Sequence, residues 1–154
     1  LVNRVLSLAS RDFGGKVPTP AALTDEDRTL LADVDAALIA EGQHIEAVEL
    51  RAGLRDAMEA AGRVNAYLNA TEPWKLVKTD PQRAATVLWT ALSAIAGVRV
   101  GFAPYLPFST IALGDMLGLG PVEEWRRPEV AAGSALGDIA PLFVKLEPDV
   151  LADP

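Results

Sequence analysis

The sequence predicts an all-α protein, a helical bundle followed by an irregular C-terminal extension. Apolar residues recur at three- to four-residue spacing through most of residues 1–117. Capping residues precede these stretches, and glycine or proline follows them. Beyond residue 120 the chain has five prolines, which exclude a long helix there. We therefore expect a bundle over residues 1–120 and an extension over residues 121–154.

The first two helices are predicted for residues 1–14 and 24–42. The first has one apolar stripe and ends at Gly14 and Gly15. The second begins at Thr24, an N-cap residue, and three acidic residues occupy its electropositive first turn. The apolar stripe of the first helix consists of Val2, Val5, Leu6, Ala9 and Phe13.

A third helix is predicted for residues 43–70, ending before the sequence Glu72-Pro73-Trp74-Lys75. Proline ends the helix here, so Trp74 should stand where the chain turns. Asn65 lies on or near the apolar stripe, and a structural hydrogen bond is its expected role. The predicted stripe contains Ala47, Leu50, Leu54, Met58, Ala61 and Leu68.

Two more helices are predicted for residues 81–102 and 109–117. Asp80 and Pro81 form an N-cap followed by proline at the first helical position. The uncharged run between Arg83 and Arg99 is too short to span a bilayer, so we expect a buried core helix. Residues 142–146 are expected to form a short extended segment against the bundle.

The charge pattern indicates what kinds of partner the chain could bind. The net charge is −7, which argues against a general nucleic-acid binder. Residues 20–62 contain ten acidic residues and three arginines, whereas residues 1–16 and 63–100 are mildly basic. A fold that joined the two basic segments would have a local basic surface on an acidic body. By default, such charges are solvated helix faces.

Trp74 has two possible roles, because an indole at a helix exit either fills the core or stacks on an unpaired base. Lys75 and Lys78 follow it and are candidates for phosphate contacts. On the first helix, Asn3 and two residues at four-residue intervals, Ser7 and Arg11, share a polar face opposite the apolar stripe. Taken alone, that row is typical of any amphipathic surface helix.

No catalytic or metal-binding motif is found. Cysteine is absent, and the single histidine, His44, has no second ligand of the kind zinc sites use nearby. The glycines at 114, 118 and 120 lack the preceding strand of a phosphate-binding loop. No signal peptide is visible. The start at Leu1 without methionine suggests the interior of a longer polypeptide.

Three stretches resemble the C-terminal anticodon-binding domain of methionyl-tRNA synthetase, a class I aminoacyl-tRNA synthetase. They lie at residues 3–14, at residues 65–75 and at residues 141–147. The first contains Asn-Arg-Val-Leu-Ser-Leu-Ala-Ser-Arg, and the second pairs Asn-Ala-Tyr-Leu with Pro73-Trp74-Lys75. The resemblance implies the helical bundle of the class I synthetase anticodon-binding type and recognition of the CAU anticodon of methionine tRNA.

The resemblance also implies roles for individual residues. Arg11 aligns with a base-contacting arginine, Trp74 and its preceding Pro73 with the stacking motif, and Asn3 with a supporting asparagine. At Ser7 this chain departs from relatives that have a second base-reading asparagine. Serine has one hydroxyl in place of a forked amide, so a water or the backbone is expected to substitute.

The same resemblance places the chemistry elsewhere. The HIGH- and KMSKS-type signatures of the family's catalytic domain do not occur here. We therefore expect no cofactor in this segment, and ATP with Mg²⁺ in an N-terminal catalytic domain of the same cytoplasmic enzyme. The extension is expected to pack on the bundle or on that domain, and no membrane partner is expected. The alternatives are the corresponding domain of valyl- or cysteinyl-tRNA synthetase, and a helical protein-interaction module in which Trp74 is buried.

Overall fold

The computed structural model describes residues 1–143, which form an α-helical bundle. Within them no β-strand is formed, apart from one isolated antiparallel bridge between Lys16 and Ala135. All-α is therefore confirmed as the fold class. The six helices are α1 (Val2–Asp12), α2 (Asp25–Glu46), α3 (Leu50–Thr71), α4 (Pro73–Thr79), α5 (Pro81–Phe102) and α6 (Pro107–Leu117).

The centre of the bundle is α5, which packs against each of the other five helices. Almost its entire surface is buried, and Val87, Leu88, Leu92 and Ile95 form part of the main core. Its length and its mean hydropathy of 1.5 would suffice to cross a membrane, but 89% of that segment is buried inside the protein. The predicted core helix is confirmed.

Two predicted helix starts are confirmed by their caps. The Thr24 hydroxyl accepts a hydrogen bond from the amide of Asp27, whose carboxylate accepts one from the amide of Thr24. This reciprocal pair satisfies two donors that the helix leaves unpaired. The Asp80 carboxylate accepts a hydrogen bond from the amide of Arg83, and Pro81 occupies the first turn of α5.

The predicted boundary between the second and third helices, at residues 42 and 43, is wrong. The second helix continues through Gly42 to Glu46, and the chain reverses at Val48, whose φ is 62°. Gly42 lies inside α2 because the Trp125 indole packs on it. A Cβ there would lie 2.9 Å from Trp125 Nε1, which donates a hydrogen bond of 2.7 Å to the carbonyl of Leu38.

The apolar stripe predicted for the start of the third helix is also wrong. Leu50, Leu54 and Met58 are exposed, and the buried face carries small residues instead: Gly53, Ala57 and Ala60. These small side chains let α3 approach α2 and α5 closely. Further along the helix, Asn65 is exposed on the helix surface, so its expected role as a buried amide is wrong as well.

The segment after α6 packs on the bundle as irregular chain. Arg127 forms a salt bridge of 2.9 Å with Asp35 on α2, and Val130 is buried. The indole of Trp89 donates a hydrogen bond of 3.1 Å to the carbonyl of Val130. Of the predicted extended segment 142–146, only the first two residues are described, and the rest lies outside the described part. The division at residue 120 stays a prediction.

Candidate nucleic-acid interface

Trp74 lies in the first turn of α4, not in a turn between helices. Glu72 ends α3 in the left-handed region with φ 44°, and Pro73 then occupies the first helical position of α4. Proline suits that position because its missing N–H would have no partner there. The predicted end of the third helix is thus confirmed, but the predicted turn is wrong. The next helix, α4, begins directly after Glu72.

The indole of Trp74 is half-buried and packs against the core. It is neither sealed inside nor fully exposed. Its helix is held by Leu76 and Val77, which pack on the same core. One part of the ring is therefore held by the core and another part is accessible to solvent, which is the arrangement a stacking platform needs.

The polar face of α1 lies open to solvent. Asn3, Ser7 and Arg11 are all exposed, whereas Val5, Leu6, Leu8 and Ala9 on the opposite side are buried. Within residues 1–143, the side chains of Asn3 and Ser7 make no hydrogen bond to other protein groups. Among the described residues, Asn3 borders a groove lined by Pro141, Leu142 and Phe143.

Arg4 is the residue that joins the two parts of the site, and the sequence analysis missed it. Its guanidinium carbon lies 5.2 Å from the centre of the Trp74 ring, in a cation–π contact. Arg4, Ser7 and Arg11 stand at i, i+3 and i+7, so they share a stripe about 60° wide on α1. That spacing was the signal available in the sequence.

The structure does not bring Arg11 into contact with Trp74. Its guanidinium donates two hydrogen bonds, of 3.0 and 2.8 Å, to the carboxylate of Asp12. This pairing raises the pKa of Arg11 and lowers the pKa of Asp12. The Arg11 side chain is 71% exposed and is free to exchange that partner for another. Along the helix axis, it lies about 10 Å from Arg4.

Two lysines follow Trp74 on α4. Lys75 forms a salt bridge of 2.7 Å with Glu72, and both side chains are substantially exposed. Lys78 stands one turn after Trp74, in the last turn of α4. It has no salt-bridge partner among residues 1–143. Of the two candidate phosphate contacts, Lys78 is the one with an uncommitted charge.

The expected basic surface is small. Several cations of the two basic segments are paired or buried: Arg63 pairs with Asp33, Arg83 pairs with Asp27, and Arg99 is buried. Within the described ranges, Arg4 and Lys78 lie near Trp74 without a carboxylate partner. Near the indole, the unpaired positive charge among the described residues therefore comes from Arg4 and Lys78.

A buried polar cluster supports this end of the bundle. Asp27 accepts hydrogen bonds from the Tyr67 hydroxyl at 2.5 Å and from the Arg83 guanidinium at 2.5 and 2.8 Å. Burial opposes ionisation, but the hydrogen bonds from Arg83 and Tyr67 lower the pKa of Asp27 to about 2. The cluster joins α2, α3 and α5, and α5 is the helix against which α4 packs.

A second ionisable cluster lies at the end of α2, away from Trp74. Glu41 is 1% exposed, and burial together with the nearby Asp56 raises its pKa to about 7. His44 Nδ1 lies 2.7 Å from Glu49 Oε2. Among residues 1–143 no group of three or more side chains is arranged to hold a metal ion.

Comparison with known proteins decides the family. The family model of the anticodon binding domain of methionyl tRNA ligase matches residues 17–151. The chain belongs to this family. The matched region includes Trp74 but begins after α1, so Asn3, Ser7 and Arg11 lie outside it.

Related proteins and structures extend the match to α1. The methionine–tRNA ligase of Roseiflexus sp. strain RS-1 is 40% identical over 99% of this chain, and that of Corynebacterium jeikeium is 36% identical over 97%. Apo methionyl-tRNA synthetase of Mycobacterium tuberculosis superposes with a TM-score of 0.88, at 26% identity over 96% of this chain. The chain spans about a third of these proteins, 31% of each.

Membership in the methionyl-tRNA ligase family settles one alternative. The valyl- and cysteinyl-tRNA synthetase domains were the nearest rivals, and the matching family is the methionyl one. The matched residues correspond to the anticodon-binding domain of this family. The roles of individual residues at Trp74 and on α1 stay predictions.

Proposed function

We propose that this chain recognises the CAU anticodon of methionine tRNA, with Trp74 as the stacking platform and Arg11 as the reader of a base edge. Asn3 and Ser7 orient the site, and Pro73 fixes the indole at the start of α4. Lys75 and Lys78 face the phosphates. The observation that carries this proposal is the contact between Arg4 and Trp74, because it puts the exposed face of α1 beside the indole.

The physical chemistry of an anticodon loop suits this arrangement. Proteins that read RNA sequence mostly bind unpaired loop bases, which stack on aromatic rings or guanidinium planes and offer their Watson–Crick edges. A half-buried indole beside a row of exposed polar side chains provides both kinds of contact. The acidic remainder of the domain limits attraction to other RNAs, so specificity depends on the base contacts.

Ser7 is too short to replace a forked amide directly. Its hydroxyl lies on the same stripe as Arg11, one helical turn away. A water held between the serine hydroxyl and a base edge restores the missing reach at little cost. Arg11 then supplies the direct contact, after its guanidinium leaves Asp12.

The activity belongs to the larger ligase. We propose that ATP, with Mg²⁺, and methionine bind in a catalytic domain of the same cytoplasmic enzyme, on which this domain positions the tRNA. The region from 121 onward is the proposed extension, which packs on the bundle or on that domain.

A binding series on anticodon stem-loops tests the proposal. Isotherms for the 154-residue chain would be measured with a CAU loop and with three loops that each change one anticodon base. We expect the CAU loop to bind most tightly and each substitution to weaken binding. Equal affinity for all four loops would contradict anticodon reading. Failure to bind any of them would favour the protein-interaction alternative, in which the half-buried Trp74 serves the core.

A further inference from the structure

We propose that Arg4 is a placeholder for the stacked base. In the free protein its guanidinium covers the Trp74 ring. When a loop base stacks on the indole, the guanidinium moves away and pairs with a phosphate of the same loop. This inference rests on the proposed function and assigns a positioning role to a residue outside the predicted site.

The position of Arg4 is set by the indole rather than by an ion pair. Arg11 and Lys75 each pair with a neighbouring carboxylate, at 2.8 and 2.7 Å. Arg4 has neither a salt bridge nor a side-chain hydrogen bond in the part of the chain that the structure describes. Its contact is the Trp74 ring at 5.2 Å. The guanidinium therefore keeps all its hydrogen-bond donors available.

A base and the Arg4 guanidinium compete for the same surface. The Trp74 ring packs against the core, and Arg4 lies over it. A base can stack there only after the guanidinium leaves. Stacking of a base on an aromatic side chain is stronger than a cation–π contact at an exposed site, so the exchange favours the base.

The displaced guanidinium has an evident destination. Arg4 lies on the same stripe of α1 as Ser7 and Arg11, the face proposed to meet the anticodon loop. A guanidinium presents paired donors that match phosphate oxygens. Arg4 thus protects the indole in the free protein and contributes attraction to phosphate in the complex. The two effects oppose each other in the measured affinity.

Fluorine NMR tests the exchange directly. The chain would be labelled with 5-fluorotryptophan, and the Trp74 signal assigned from a Trp74→Phe variant. Arg4→Gln removes the charge and shortens the side chain, but keeps a polar end group. Arg55→Gln is the matched control, since Arg55 is an exposed arginine on α3. It lies more than 20 Å along the helix axis from Thr71, the last residue of α3, which is close to Trp74 in the sequence.

We expect the Trp74 signals of free wild-type protein and free Arg4→Gln to differ, and those of their stem-loop complexes to coincide. Arg55→Gln should match wild type in both states. Coincident free signals would show that Arg4 does not cover the ring. Bound signals that still differ as much as the free ones would show that Arg4 stays on the ring. Either result overturns the proposal.

The salt dependence of binding gives a second readout. Arg4→Gln should reduce the slope of log K against log salt concentration by about 0.7, the value for one single-strand phosphate contact. At low salt the variant should bind the CAU stem-loop more weakly than wild type. At high salt it should bind more tightly, by about two- to five-fold, because a competitor for the ring is gone. An unchanged slope would overturn the phosphate contact.

These outcomes separate the two proposals. The comparison of free proteins needs no RNA, so it tests the contact between Arg4 and the ring alone. Discrimination among anticodon loops tests the proposed function alone. If the loops are discriminated but the Trp74 signals of the two complexes differ as much as those of the free proteins, the function stands and the placeholder role is rejected.

Discussion

Asp27 on α2 accepts two hydrogen bonds from the guanidinium of Arg83 on α5, and its side chain is fully buried. The same carboxylate also accepts a hydrogen bond from the Tyr67 hydroxyl. Three helices thereby share one buried charge. Removing one partner leaves that charge uncompensated in the interior, which is among the most costly changes a fold undergoes.

Arg83→Met should therefore destabilise the domain by about 3–5 kcal/mol, although it keeps much of the side-chain volume. The free energy of unfolding in urea, followed by far-UV circular dichroism, measures this. Arg55→Met removes an exposed arginine and should change stability by less than about 0.5 kcal/mol. Equal effects of the two substitutions would contradict the structural role of the pair.

Acid should weaken the domain through Asp27. Its pKa in the folded protein is about 2, below the ordinary value of an aspartate. The stabilisation that ionised Asp27 contributes is therefore fully present above its unfolded pKa, near pH 4, and is lost as the pH falls toward 2. Its size is about 2–3 kcal/mol. Unfolding free energies measured from pH 5 to pH 2 should fall less steeply for Asp27→Asn than for wild type.

Glu41 should have the opposite pH dependence. Burial and Asp56 raise its pKa to about 7, so the folded state binds a proton that the unfolded state releases near pH 4.5. Stability is full below the unfolded pKa and declines as the pH rises through about 7. Glu41→Gln should be nearly neutral at pH 4 and stabilising at pH 8, by up to about 3 kcal/mol. A parallel pH profile for variant and wild type would contradict this assignment.

Trp74→Ala should weaken binding of a CAU stem-loop by about 1–3 kcal/mol, the loss expected for one stacked base. In the complete ligase, the same substitution should reduce aminoacylation of methionine tRNA. Phe108→Ala is the control, since Phe108 is an aromatic residue on α6 that is 86% exposed. Near-wild-type aminoacylation by Trp74→Ala would remove the stacking role.

Arg11→Gln should relax discrimination among anticodon bases, because an arginine that reads a base edge loses its paired donors. We expect a smaller affinity ratio between the CAU loop and a loop with one base changed. Folding should be unaffected, since the side chain is 71% exposed. Uniform weakening for every loop, with the ratio intact, would make Arg11 a phosphate contact instead.

The local sequence was sufficient to predict helices and their buried faces where capping residues and apolar periodicity agree. The Thr24 and Asp80 caps, the buried length of α5 and the polar face of α1 all follow from neighbouring residues. Gly42 shows where this fails. A glycine usually ends a helix, but here it makes room for Trp125, which is distant in sequence.

The candidate site was predicted in part for the same reason. Positions on α1 and the Pro73-Trp74 pair could be found from motif and spacing. The contact between Arg4 and Trp74 depends on how α1 and α4 are brought together in the bundle. Likewise, the small buried residues of α3 reflect close approach to its neighbours, which an apolar stripe of leucine and methionine does not reveal.

The seven-residue helix α4 is too short to be stable by itself, so the orientation of its indole depends on packing against the core and on how the chain enters and leaves the helix. At one end stands Glu72, a non-glycine residue in a left-handed conformation, and at the other Asp80, which starts the central helix. The substitution Glu72→Gly would relieve the strain of the left-handed conformation and make the junction between α3 and α4 more flexible. We therefore expect Glu72→Gly to change the affinity for the CAU stem-loop through the orientation of the Trp74 ring.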